Sequence, residues 1–377
     1  MTSRQRFLEA VNHRTTDRPP FDCTITIDAY NRLVRAMNLN LPPKTDCSIF
    51  LTVQPDIEVI RGLGLDFVYL PLSENKTHPA FHYGVDHYVD IWGVDYKKIT
   101  VGKFINYVNV NAPLAGAETG DLASYPWPDP DEPSLYRGLA ERAKELSEKT
   151  GCAIVGLFGG SVFTEASLLR GMQQWYEDLL AEPEFAARLM EILSDYFTRV
   201  YRNAVSECGG YLDLIRIDND DYGTQESLLI SPGVFRSLVK PLISKYYGTV
   251  KEHARKFNPE IKLMKHSCGA VFDLVGDFIE MGIDILDPVQ VSAKGMDIDR
   301  LKGAYGDRIT FHGGIDTQRV LPHGTPAEVE EFTAKTISVL GRGGGYIVCP
   351  VHHVEGDVPA ENILAMGKAV MAAETEK

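Results

Sequence analysis

The chain has 377 residues, 44% of them hydrophobic and 24% charged, a balance that excludes a disordered, collagen-like or coiled-coil protein. Lys and Arg total 38 against 52 Asp and Glu, for a formal net charge of −14, which speaks against nucleic-acid binding because that usually needs a basic face. No apolar run approaches the roughly 18–20 residues that cross a bilayer, and the opening MTSRQRFLEAV reads as an amphipathic helix instead of a signal peptide.

Taken in order, the chain alternates short apolar runs with helix-length stretches. The candidate strands are Pro20–Cys23, Leu65–Leu70, Ala153–Phe158, Leu212–Ile217, Lys262–Lys265, Ile285–Pro288, Ile309–Phe311 and Tyr346–Val348. Most are rich in Val, Ile, Leu and Phe without strict alternation, as strands buried on both faces of a parallel sheet should be. Helices are expected over Glu184–Glu207, Pro232–Lys256, Val271–Met281, Pro326–Leu340 and Pro359–Ala373, several with proline in the first turn. Eight strands with helices between them predict a single-domain α/β protein over residues 1–377, a (β/α)8 TIM barrel. A doubly wound sheet is the alternative, but no G-x-G-x-x-G follows the first strand, and the GRGGG run at Gly341–Gly345 precedes a strand as a turn would. From His78 to Leu114 the pattern turns to alternating Tyr, Val and Asp, which predicts an antiparallel hairpin inserted after the second strand. Its Phe81, Tyr83, Tyr88, Trp92 and Tyr96 read as hairpin packing or as cover for an aromatic substrate. An exposed hairpin of this kind also suits a homodimer.

A barrel of this type carries its active site at the carboxyl ends of the strands. Those positions hold Asp218-Asn219-Asp220-Asp221-Tyr222, His266-Ser267-Cys268, Asp287-Pro288-Val289-Gln290, His312-Gly313-Gly314, and Cys349-Pro350-Val351-His352-His353. Residues two apart on a strand share a side, so His266 and Cys268 can reach one ion, and imidazole with thiolate is zinc chemistry. The bland reading is a buried cysteine beside a hydrogen-bonded histidine. Cys349 and His352 offer a further ligand from the facing strand, although Cys349 also suits a small buried side chain. Asp220 and Asp221 read as loop caps, or as groups that orient a ligand or manage a substrate proton. Tyr222 and Gln290 are candidate substrate contacts, and His312 reads as a catalytic donor or a core histidine. Six scattered cysteines suit reduced or metal-bound thiols in a cytoplasm better than a disulfide framework.

Together RQRFLEAVNHRTTDRPPFD, FTEASLLRGMQQWYEDLLAEPE, DDYGTQESLLISPGVF, KHSCGAVFDLVGDFIEMGIDILDPVQ, FHGGIDTQRVLPHGTPAEVEEF and GGGYIVCPVHHVEGDVPAENILAM resemble the uroporphyrinogen decarboxylase superfamily. The resemblance implies one barrel and two main chemistries. True decarboxylases grip an acidic tetrapyrrole with an arginine-rich amino-terminal segment, and DRPPFDCTITIDAYNRLVRAM lacks its R-Q-A-G-R. The zinc methyltransferase branch, which exchanges methyl groups with a corrinoid (cobalamin) protein, is marked by His-x-Cys and a distant Cys. His266-Ser267-Cys268 matches the first mark, and alignment on Pro359, Glu361, Asn362 and Ile363 puts His352 where that branch carries cysteine.

The resemblance thus implies zinc on His266, Cys268 and His352, with Cys349 as the alternate third ligand; from their places at the strand ends, Asp221 and His312 are expected as catalytic groups, and Asp220, Tyr222 and Gln290 at the substrate. Two imidazoles and one thiolate leave zinc a net positive charge, which favours polarising a neutral ether or alcohol oxygen. The expected reaction moves methyl from a small O-methyl donor, such as a methoxyarene or methanol, to the cobalt of a corrinoid protein. A tetrapyrrole decarboxylase, a methylcorrinoid:thiol methyltransferase and a non-catalytic binder are the alternatives.

Overall fold

The computed structural model describes residues 1–48, 50–73, 83–102 and 104–373. Its centre is a parallel sheet of seven strands: β1 (Phe67–Pro71), β2 (Ala153–Leu157), β3 (Leu214–Asn219), β4 (Lys262–His266), β5 (Ile285–Val289), β6 (Thr310–Ile315) and β7 (Tyr346–Pro350). Spatial order follows chain order throughout, as expected when each strand returns through a helix on the outer face.

The sheet is curled. One small apolar cluster draws Phe67, Val155, Leu214, Met264, Ile285 and Ile347 from six strands and closes with Phe7 and Val11 of the amino-terminal helix Ser3–Val11. A cluster fed by that many strands requires the sheet to wrap around it, with the helix plugging one end. The larger core fills the space between the sheet and the surrounding helices. Between β7 and β1 runs Pro20–Asp22, which is not a regular strand. Asp22 N–H donates to Val348 O (2.9 Å), Val348 N–H to Pro20 O (2.9 Å), and Asp66 N–H to Phe21 O (2.8 Å). The arrangement is consistent with the predicted barrel.

A buried ion network holds this seam. Asp66, fully buried, accepts from Arg6 Nη1 (2.7 Å), Arg18 Nη1 (2.7 Å) and the Phe21 amide (2.8 Å). One carboxylate thereby fixes the amino-terminal helix, the bridging segment and the entry to β1.

Where one hairpin is expected, the described residues form three antiparallel strands, His87–Val89, Asp95–Val101 and Phe104–Asn109. His78 and Phe81 lie outside the described residues. Trp92, in the first turn, packs against Tyr196 (4.8 Å between ring centroids) and Phe197 (5.7 Å), so it belongs to the core. The predicted helix Pro232–Lys256 is instead a short turn Pro232–Val234, a π-helical segment Phe235–Val239 and the helix Lys240–Ala254. Pro241 at the start of that last helix cannot donate a backbone hydrogen bond, which accounts for the break in the regular ladder. Strands β3, β6 and β7 run past their predicted ends, so His312 and Cys349 lie within strands and not in the following loops.

Candidate metal centre

The side-chain period of a strand builds the site. Moving two residues toward the carboxyl end from the apolar layer leads from Phe67 to Tyr69, Leu214 to Arg216, Met264 to His266, Ile285 to Asp287, and Ile347 to Cys349. His312 lies two residues beyond Thr310, the register partner of Ile285, and meets Asp287 in the polar layer. The curled sheet therefore holds an apolar plug with a ring of polar side chains directly above it.

Asp287 is the hub of the ring. Its Oδ2 lies 2.8 Å from His266 Nδ1 and 3.2 Å from Arg216 Nη2, while its Oδ1 lies 2.7 Å from His312 Nδ1. Burial opposes its charge, yet Arg216, His312 and His266 together hold its carboxyl well below the usual range. Arg216 Nη2 also approaches His266 Nδ1 at 2.7 Å. One nitrogen cannot both donate and accept, and a guanidinium only donates. An ionised carboxylate between them can accept from Nδ1–H and pair with Arg216 at once, the arrangement in which Nε2 carries the lone pair.

That lone pair faces the mouth. His266 Nε2 lies 3.4 Å from Cys268 Sγ and 3.7 Å from Asp221 Oδ1; the three donor atoms are mutually within 4.8 Å. Asp221 Oδ1 also accepts the Cys268 amide at 2.6 Å, which anchors the loop carrying the thiol. His352 comes from across the mouth, its ring 6.3 Å from that of His266. Burial, with His266 and Arg216 adding, lowers the His352 pKa to about 4, so its imidazole is neutral, the state in which it ligates metal. Burial, with Asp221 and Asp287 adding, raises the Cys268 thiol well above its ordinary value; an ion at this place would reverse that by taking the thiolate.

Cys349 keeps different company. Its thiol groups with Asp22 and His312, all buried, on the far side of Asp287. It stands apart from the His266–Cys268 pair, whose third grouped donor is Asp221. His312 Nε2 meets Asp22 Oδ2 at 3.1 Å. Burial pulls the His312 pKa down, but Cys349, Asp287 and Asp22 hold it well above the ordinary histidine value.

The remaining predicted residues have other partners. Asp220 is fully buried, and its two oxygens accept the amides of Phe163 (3.0 Å) and Thr164 (2.8 Å) at the start of the helix Val162–Arg170. It caps that helix. Tyr222 is also fully buried, packed between Phe163 and Phe235 with its ring 4.8 Å from the Lys265 ammonium. It shields the buried Lys265–Asp218 ion pair (2.6 Å). Gln290 lies at the rim, where its Oε1 accepts the Gly269 amide (2.7 Å) and its Nε2 donates to Gln225 (3.0 Å), tying neighbouring loops together.

Asp22, Tyr69 and Arg216 are absent from the predicted site, and Asp287 appears there only as part of a loop. The available signal was Arg216 itself, a cation inside the apolar run LDLIRI, since buried arginines are almost always paired.

A family model described as uroporphyrinogen decarboxylase (URO-D) matches residues 106–373. The chain belongs to that family. Among solved structures, a methyltransferase from Methanosarcina mazei shares 20% identity and a TM-score of 0.66, with 98% of each chain covered; at that identity the likeness shows a common fold. A broad-specificity endoglucanase from Clostridium longisporum shares 11% identity over 98% of this chain and 99% of its own, with a TM-score of 0.42, too low to support any argument. No curated protein sequence matches. Among the described residues, no helix is long and apolar enough to cross a membrane.

Proposed function

We propose that this member of the uroporphyrinogen decarboxylase family is a zinc-dependent methyltransferase built on a (β/α)8 barrel in which the irregular segment Pro20–Asp22 fills the place of the first strand. It would move methyl from a small O-methyl donor to the cobalt of a separate corrinoid protein. The observation that carries this reading is the convergence of His266 Nε2 and Cys268 Sγ at 3.4 Å, with His266 Nδ1 against Asp287 Oδ2 at 2.8 Å.

The donor set suits zinc: His266, Cys268 and His352 would hold it, leaving one position for substrate, as catalytic zinc sites require. When bound, the ion would supply Lewis-acid polarisation of the donor oxygen, since two imidazoles and one thiolate leave it a net positive charge. The other steps fall to the chain. Asp287 fixes the His266 tautomer and ring plane. Asp221, half-exposed beside the pair, is placed to pass a proton to the departing oxygen. At the rim Gln290 and Gln318 both donate to Gln225 Oε1, an uncharged group that suits a neutral donor.

The decarboxylase alternative needs several cations for a polyacidic tetrapyrrole. Arg216 is buried and already engaged with Asp287, which counts against that reading. The test is methyl transfer from methanol and a methoxyarene to cob(I)alamin, followed by the absorbance change on cobalt methylation. Methylcobalamin should form with the wild type, and His266→Ala should slow its formation by about 10²–10³-fold. Release of carbon dioxide from uroporphyrinogen, with no cobalt methylation from either donor, would overturn the assignment. Methylation of a thiol by methylcobalamin alone would reverse its direction.

A further inference from the structure

We infer that the barrel interior holds a second divalent-metal site, formed by Asp22, His312 and Cys349 and separate from the mouth. The three offer carboxylate oxygen, imidazole nitrogen and thiolate sulfur, with donor atoms all within 4.8 Å of one another. Asp22 Oδ2 and His312 Nε2 are 3.1 Å apart, close to the edge of about 3.3 Å that zinc bond lengths near 2.0 Å give in a tetrahedron. A mixed O, N, S set of this kind selects zinc or a similar borderline ion over magnesium or calcium.

The surroundings point to a ligand as well. Metal-bound imidazoles almost always give their second nitrogen to a carboxylate, and His312 Nδ1 is held by Asp287 Oδ1 at 2.7 Å. Asp22 is itself fixed, its Oδ1 accepting the Cys23 amide at 2.8 Å and its Oδ2 accepting from the Tyr69 hydroxyl. Asp287 thus treats the two histidines alike: one oxygen on each Nδ1, with the two Nε2 atoms turned to separate donor sets. The inference also assigns a place to Cys349, which stands apart from the mouth.

The test is cobalt titration of chelator-stripped full-length protein, with bound metal counted by mass spectrometry and sulfur-to-cobalt charge-transfer absorption recorded. Two equivalents are expected in the wild type, and one in each of Cys349→Ser, His312→Gln and Cys268→Ser, with about half the charge-transfer intensity left in each cysteine variant. Using both Cys349→Ser and His312→Gln guards against one of them failing to fold, and the wild-type count stands without either. A single equivalent that Cys349→Ser and His312→Gln retain would overturn the inner site. A single equivalent lost in Cys349→Ser but kept in Cys268→Ser would support the inner site and remove the zinc reading of the mouth.

Discussion

Replacing Asp287 by Asn should weaken zinc binding at the mouth by about 10–100-fold, the usual cost of losing the carboxylate behind a ligating histidine. Asn keeps the shape but has one acceptor oxygen where Asp287 has two, and those two serve His266 and His312 at 2.8 and 2.7 Å. It also removes the charge that holds the proton on His266 Nδ1 against the approach of Arg216. With that charge gone, Arg216 can donate to Nδ1, and the proton moves to Nε2, where it blocks the metal. Competition with a chromogenic zinc chelator measures the change. An affinity within twofold of the wild type would mean that Asp287 is a passive spacer.

The second large effect is on stability. Asp66→Ala should cost about 3–5 kcal/mol, because it leaves two buried guanidiniums without their shared carboxylate. The side chains of Arg6 and Arg18 are 8% and 10% exposed and that of Asp66 is 0% exposed, so water does not replace what is lost. Arg6 keeps Asp17 and Arg18 keeps two carbonyls, which places the expected loss toward the lower end. The urea midpoint reads the effect. Lys368→Ala serves as control, since its pair with Glu330 is largely exposed and should move stability by no more than about 0.5 kcal/mol. Equal shifts in the two variants would show that the seam between β7 and β1 is not held by this network.

Much of this architecture is legible in sequence because a parallel sheet covered by helices needs long apolar strands, and seven of the eight candidates are strands. The exception, Pro20–Cys23, makes only a single bridge, since Pro19 and Pro20 lack the donors a ladder requires. The site is legible to the extent that strand ends are. His266 and Cys268 stand where a two-residue spacing puts them together. Asp218, Asp220 and Asp221 are indistinguishable in sequence and yet have three fates: a buried ion pair, a helix cap and the mouth. For Asp218 the reason is an irregularity in the β3–β4 register between Arg216 and Asp218, which breaks the alternation by which faces are assigned; Asp220 and Asp221 lie past the end of the strand. Asp22 and Tyr69 were out of reach for another reason. They meet His312 and Cys349 only because the curled sheet brings distant segments together, and neither has a neighbour in sequence that marks it.

The most direct test of the account is zinc-edge X-ray absorption on Cys349→Ser protein loaded with zinc, which isolates the ion at the mouth. One sulfur and two imidazole ligands are expected, with one imidazole lost in the further variant His352→Ala and the sulfur lost in Cys268→Ser. A ligand shell without sulfur, or one unchanged by both further substitutions, would contradict it.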